Sequence, residues 1–248
     1  MRILFIGNSH TYFNDMPQTF CELWCGAFGE MPQVTMLAYS YRSLQWHSDE
    51  YFTLRFNLLY GGYDVCVIQQ CAHPFPGYEE TERGLESILR LCRAANTSPF
   101  LFMPWCEKSL PENQEKITSA LRRLAAKEHM ETIPVGDVWQ ELQRRMPEVS
   151  LYWTDGEHAS PAGDYLVAVT ACMAISGRTD ISPLGNARDF TLGASVDFDH
   201  PAVCEDIVKV RCAVTQELRD GVAASARAVL NGSCSPVPGC LPQLCPDV

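Results

Sequence analysis

The sequence predicts a three-layer α/β/α fold, in which a doubly wound, mainly parallel sheet of about five strands lies between two layers of helices. Short apolar runs alternate with amphipathic stretches along the chain, as expected for a βαβ succession. The runs are almost continuously hydrophobic, which is typical of parallel strands covered on both faces. The length of 248 residues suits one domain with a sizeable core.

Each element has its own local signal. We expect helices that open at Glu79, that begin at Ser109 as N-cap with Pro111 in the first turn, and that run from Pro161 to Ile175 before Gly177. The predicted strands are Ile3–Ile6, Val34–Ala38, Val65–Ile68, Phe100–Met103 and Thr132–Val135.

The domain organisation follows from these elements. We predict one domain over 1–230, with a core over about 1–178 and a C-terminal helical extension over 179–230. Within that extension, 180–200 is expected to be irregular and 203–230 to form a long helix. A tail rich in Pro, Gly and Cys occupies 231–248.

The net charge of −11 and the isoelectric point near 5.0 exclude several partners. Nucleic acids and anionic membrane surfaces are bound by clustered Lys and Arg, so we expect neither. Only four apolar residues, Ile3–Ile6, precede Gly7, too few for a secretory segment. No run reaches transmembrane length, and we expect a cytoplasmic protein with a small-molecule substrate. Its oligomeric state is not indicated.

Twelve cysteines are present, and most lie in apolar runs where they act as small buried hydrophobes. Cys234, Cys240 and Cys245 cluster in the tail, where a metal or a disulfide remains open because the spacing fits no standard zinc pattern. The chain has no HxH, HExxH, GxGxxG or GxxxxGK[ST] motif. We therefore predict no metal and no cofactor.

Ligands bind beyond the carboxyl ends of the strands in such sheets, and Ser9 follows the first strand. A serine there can present its hydroxyl to the crevice, or it can simply cap the following helix. Asp155 and His158 lie three residues apart before the Pro161 helix. Asp155 could orient the imidazole, and His158 could then take the serine proton. Alternatively, His158 is an ordinary surface histidine.

Taken together, these motifs resemble the SGNH (GDSL-like) hydrolase superfamily. Gly7-Asn8-Ser9 stands where the family has GDS, and Asp155-x-x-His158 follows late in the chain, in the family's order. The stretch Asn14-Asp15-Met16-Pro17 is similar to a branch of uncharacterised members. The resemblance covers about 1–178 and implies a flavodoxin-like hydrolase fold with Ser9, His158 and Asp155 as the catalytic triad.

The resemblance also implies three oxyanion donors, and the sequence departs from two of them. The Ser9 N–H is retained, but Ser40 or Tyr41 stands where a glycine N–H is expected. Glycine would permit positive φ and close substrate approach. Gln69 or Gln70 replaces an asparagine side chain, and we favour Gln69 because strand alternation places it at the pocket rim.

The expected function is hydrolysis of a small ester through an acyl-enzyme on Ser9. The family suggests a short acyl group, such as acetyl on a carbohydrate. Alternatives are a non-catalytic ligand-binding protein on the same fold, and an amide or thioester hydrolase. Residues expected to contact substrate are His10, Tyr41, Gln70, His73 and Trp105.

Overall fold

The five predicted strands form one parallel sheet in the computed structural model, which describes residues 1–181, 189–193 and 209–233. The sheet order is β2-β1-β3-β4-β5, and each neighbouring pair is parallel. The chain adds β2 on one side of β1 and then β3, β4 and β5 on the other, so the strand order reverses between β1 and β3. Such folds bind ligands in the crevice at this reversal. The strands are β1 (Arg2–Gly7), β2 (Gln33–Ala38), β3 (Val65–Gln69), β4 (Ser98–Phe102) and β5 (Glu131–Ile133).

Helices cover both faces of this sheet. Alternation along β1 sends Ile3 and Phe5 into one hydrophobic cluster and Leu4 and Ile6 into the other. The first cluster includes α2, α7, α8 and α9, and the second includes α3 to α6, which confirms the three-layer fold. The helices are α1 (Ser9–Tyr12), α2 (Met16–Phe28), α3 (Leu44–Asp49), α4 (Tyr51–Tyr60), α5 (Tyr78–Ala95), α6 (Asn113–Glu128), α7 (Val135–Arg145), α8 (Pro161–Ser176) and α9 (Gln216–Ser233). Within the described ranges, none of them is long and apolar enough to cross a membrane.

Two predicted element boundaries are wrong. Val135 is the first residue of α7 and not the end of a strand, since Pro134 has no N–H with which to continue the ladder. Ser109 does not cap α6, which begins at Asn113 after Glu112. Two successive turns, closed by the Leu110 N–H to the Glu107 carbonyl and the Gln114 N–H to the Pro111 carbonyl, fill that interval.

The C-terminal extension differs from its prediction. A strand, β6 (Asp189–Gly193), lies in the segment expected to be irregular and pairs antiparallel with β7 (Lys209–Ala213). The expected helix over 203–230 begins only at Gln216, and its buried Leu218 and Val222 join the first cluster. The possible tail site at Cys234, Cys240 and Cys245 lies outside the described residues.

One ionisable group is fully buried in the first turn of α8. Asp164 has no exposed surface, and its carboxyl group faces the side chain of Asn14. Burial raises the pKa of Asp164 well above its ordinary value of 3.8; the Asn14 amide opposes this shift, and the negative charge of Asp15 adds to it. The folded protein therefore disfavours the charged form of this group.

This burial gives the stability of the fold a defined pH dependence. For an acid whose folded pKa is raised, stability present at low pH is lost as pH rises from the unfolded pKa through the folded pKa. Asp164→Asn is therefore expected to gain free energy of unfolding relative to wild type, on the order of 1 kcal/mol per pH unit within that window. Chemical denaturation from about pH 4 to about pH 8 measures the difference. Asp49→Asn, at an exposed position, is the control, and a pH-independent difference for Asp164→Asn would refute the assignment.

Candidate active site

Ser9 lies at the junction of β1 and α1, and it is not the helix cap. Asn8 holds that position, because its Oδ1 accepts from the His10 N–H at 3.1 Å. The Ser9 N–H consequently sits in the first turn, where backbone donors have no helical acceptor. Gly7 is required just before, since a Cβ there would collide with Thr11 and approach Gln69 Oε1 to 2.5 Å.

A tight loop between α7 and α8 brings Asp155 and His158 together. Asp155 Oδ1 accepts from the N–H groups of Glu157 at 2.8 Å and His158 at 3.0 Å, and Gly156 takes a φ of +76°. The Trp153 N–H closes the loop on the His158 carbonyl at 2.8 Å. The order Asp-x-x-His therefore places a carboxylate beside the imidazole through local bonds alone.

The three residues form a continuous hydrogen-bonded chain. His158 Nδ1 lies 2.7 Å from Asp155 Oδ2, and His158 Nε2 lies 2.8 Å from Ser9 Oγ. An ionised carboxylate only accepts, so Nδ1 bears the ring proton of neutral His158 and Nε2 accepts from the serine hydroxyl. The sequence predicted that these residues meet; their catalytic roles stay predictions.

The charge of Asp155 is favoured by its surroundings. Burial by itself raises the pKa of this carboxyl, but hydrogen bonds from the Glu157 N–H and from His158 outweigh it and lower the pKa below its ordinary value. An ionised Asp155 can fix the ring tautomer and stabilise an imidazolium when one forms.

Asp155→Asn is expected to lower kcat by about 10⁴-fold at an unchanged fold, because an amide can donate to Nδ1 and favour the wrong ring tautomer. Steady-state hydrolysis of an activated acetate ester measures this. Asp180→Asn, which removes an exposed carboxylate that pairs with Arg178, is the matched control. Equal activity in the two variants would argue against a role for Asp155.

Two aromatic rings flank the imidazole of His158. Phe13 stacks against it at a centroid distance of 4.4 Å and 22°, and His10 lies 5.2 Å away at 23°. Burial lowers the pKa of His10 well below its ordinary value, and the proximity of His73 and His158 lowers it further. A neutral His10 avoids a second positive charge beside His158.

The loop after β2 contains a backbone conformation that usually favours glycine. Tyr41 has a φ of +60°, in the left-handed region that non-glycine residues rarely occupy. Its side chain is 74% exposed and also lines the cleft over Ser9. The neighbouring Ser40 is half-buried and does not line that cleft. The loop thus contains a left-handed residue although it has no glycine.

The prediction that Gln69 donates to an oxyanion is contradicted by its contacts. Both amide hydrogens are used, by Asn8 Oδ1 at 3.0 Å and the Gln70 carbonyl at 2.9 Å. Its Oε1 accepts from Thr11 Oγ1 at 2.6 Å. Gln69 therefore stabilises the β1–α1 junction from the protein interior, where it is 1% exposed.

Gln70 and Trp105, which were expected to contact substrate, do not line the cleft over Ser9 in this structure. Gln70 has no exposed surface and binds Thr81 Oγ1 and the Leu44 N–H, at 3.0 Å each. Trp105 is fully buried and stacks on Trp139 at 4.4 Å. Nothing in the order of residues signals this, since both positions follow a strand like those that do reach the cleft.

A small, shallow cleft lies at Ser9. Three of its lining residues, Asn8, Cys71 and Glu157, were not predicted as site residues, while the predicted His10, Tyr41 and His73 are all present. Its lining consists of Asn8, Ser9, His10, Tyr41, Cys71, His73, Glu157 and His158. In the part of the chain that the structure describes, no group of three or more His, Cys, Asp or Glu is placed to hold a metal ion.

Comparisons by sequence and by structure give different results. No family model matches the chain, and no curated protein matches it significantly. Among solved structures, a DUF4886 family protein from Bacteroides uniformis superposes with a TM-score of 0.66 at 16% identity, over 93% of this chain and 95% of that one.

Two further structures match the larger part of the chain. A lipase/acylhydrolase from Enterococcus faecalis gives a TM-score of 0.57 at 16% identity, covering 72% of this chain and 97% of its own. A catalytic mutant of an acetylxylan esterase from Geobacillus stearothermophilus gives 0.59 at 14%, covering 70% and 93%. The resemblance to the SGNH (GDSL-like) hydrolases that the motifs indicated is thus confirmed at the level of the fold.

Proposed function

We propose that this protein is a serine esterase that cleaves a small ester through an acyl-enzyme on Ser9. The observation that carries the proposal is the unbroken chain from Ser9 Oγ to His158 Nε2 at 2.8 Å and from His158 Nδ1 to Asp155 at 2.7 Å. Within hydrogen-bond reach, a base can remove the serine proton as the hydroxyl attacks.

In the proposed reaction, His158 Nε2 takes the Ser9 proton while Oγ bonds to the ester carbonyl carbon. The tetrahedral intermediate collapses when the alcohol oxygen leaves with the proton from His158. Water then attacks the acyl-enzyme, again giving a proton to His158, which returns it to Ser9 as the acid departs.

The oxyanion is proposed to rest on the N–H of Ser9 and on a backbone N–H of the loop at Ser40 and Tyr41. The left-handed backbone of Tyr41 supports this, because the family's donor there is a glycine. With Gln69 used internally, a third donor from that side chain is lost, and one missing donor costs about 10²- to 10³-fold in rate. We therefore propose a slow esterase.

The cleft suits a leaving group that donates hydrogen bonds. His73 Nδ1 is buried without a hydrogen-bond partner, and Nε2 of the same ring lies 3.2 Å from the Trp105 carbonyl. A neutral His73 that donates from Nε2 therefore has an acceptor at Nδ1. A hydroxylated alcohol such as a carbohydrate would supply donors; acetyl on such an alcohol is the proposed substrate.

Turnover tests this proposal against the alternatives. Wild-type protein is expected to hydrolyse p-nitrophenyl acetate faster than matched amide or thioester substrates, and prior treatment with a fluorophosphonate should abolish the activity. Faster turnover of the amide or thioester would assign it to that class. Binding of small ligands without any turnover would favour the non-catalytic alternative. The observation behind that alternative is the loss of the Gln69 donor from the oxyanion hole.

A further inference from the structure

We infer that Asn14 and Phe13 form a positioning pair that holds His158 against Ser9. Asn14 Nδ2 donates to the carbonyl of Ala159, the residue after His158, at 2.8 Å. Phe13 stacks on the His158 ring at 4.4 Å. Two adjacent residues thus contact the ring of His158 and the main chain of the residue that follows it. The catalytic consequence rests on the proposed function; the positioning does not.

The backbone conformation of Asn14 and Asp15 is energetically unfavourable, so other contacts must stabilise it. Asn14 and Asp15 have φ values of +51° and +60°, two consecutive left-handed residues without glycine. Each such residue costs about 1 kcal/mol or more, and such strain persists only where the surroundings impose it. Glycine would take the same conformation at less cost but has no amide, so the side chain of Asn14 explains why asparagine occupies the position.

The Asn14 side chain lies in the interior, next to the start of α8. Asn14 is 3% exposed, and the turn at 13–15 contacts α8, whose first turn carries the fully buried Asp164. The Asn14 amide bonds the carbonyl of Ala159, two residues before that helix begins at Pro161. Its place is therefore set at the junction between the loop of the base and α8.

This arrangement gives a role to the stretch from Asn14 to Pro17 that the triad leaves unexplained. Phe13 to Asp15 form a short turn between α1, which carries Ser9, and α2. That turn is hydrogen-bonded to the residue after His158. The spacing between nucleophile and base is therefore set by direct contact between their two loops. An error of about 1 Å in such a spacing can cost roughly 100-fold in rate.

The test compares two identical substitutions at left-handed asparagines. Asn14→Gly keeps the backbone conformation and removes the amide, and Asn96→Gly does the same at the exposed C-cap of α5, where φ is +55°. Asn14→Gly is expected to slow fluorophosphonate labelling of Ser9 about 10- to 100-fold and to lower kcat with little change in KM. Asn96→Gly should match wild type. Labelling of Asn14→Gly within about twofold of wild type overturns the inference.

A second readout separates this inference from the proposed function. The Nδ1 proton of His158 lies in the hydrogen bond to Asp155 and is expected to give a downfield NMR signal in wild type and in Asn96→Gly. In Asn14→Gly we expect this signal to be broadened or lost. Asn14→Asp, which keeps the shape but not the donor, should lose it as well and serves if Asn14→Gly does not fold. An unchanged signal in either folded Asn14 variant refutes positioning. If the Asn14 variants lose the signal and the wild-type protein keeps it but neither labels nor hydrolyses esters, the positioning is upheld and the proposed function alone is refuted.

Discussion

Replacing Ser9 by alanine is expected to reduce kcat/KM for short-chain esters by about 10⁶-fold, to the level that binding and the remaining oxyanion donors sustain. The reason is that the reaction loses the atom that forms the acyl bond, while Asn8 still caps α1 and Gln69 still braces the junction. Steady-state kinetics on p-nitrophenyl acetate measures the effect. Thermal unfolding is expected to show little change.

A matched substitution controls for the loss of a hydroxyl group. Ser119→Ala removes an exposed hydroxyl from α6 that bonds only the Lys116 carbonyl, and this variant should be as active as wild type. Full esterase activity in Ser9→Ala would show that the nucleophile lies elsewhere.

His158→Ala is expected to cause a loss of similar size, about 10⁶-fold in kcat, because the serine hydroxyl then has no base within reach. The Ser9→Ala/His158→Ala double variant should lose no more than either single variant, since the two residues act as one unit. Multiplicative losses would contradict the hydrogen-bonded chain as the working unit.

The control for this change is His129→Asn, at an exposed left-handed position that asparagine tolerates. It should leave kcat unchanged. Partial recovery of His158→Ala by added imidazole would further separate loss of the base from damage to the fold.

Much of the fold and of the candidate site could be predicted because local rules decide them. Apolar runs without alternation indicate buried parallel strands, and Ser9 is placed by the end of the first such run. Asp155 and His158 are three residues apart in one turn, so their contact needs no tertiary information. Only their meeting with Ser9 depended on the fold.

The remainder depended on contacts between distant residues. Gln69 and Gln70 both follow β3, yet partners at Asn8 and Thr81, far away in sequence, decide that neither amide is available. Trp105 is buried because Trp139 stacks on it. The pairing of β6 with β7 was likewise not predicted. The first strand lies in a stretch rich in turn-forming residues, and its antiparallel partner is too far along the chain to leave a local signal.

Tyr41 shows that the preference of positive φ for glycine can be overridden. That preference amounts to about 1–2 kcal/mol, which tertiary contacts can offset. Tyr41 takes a φ of +60°, so the loop contains a left-handed residue although no glycine stands there.

The most direct test of the account is the site of covalent modification by a fluorophosphonate. Peptide mapping of the inactivated wild-type protein is expected to place a single adduct on Ser9, at a rate that falls with His158→Ala. No adduct under conditions that label an unrelated serine esterase, or an adduct on another serine with Ser9 unmodified, would contradict the claim that Ser9 is the nucleophile.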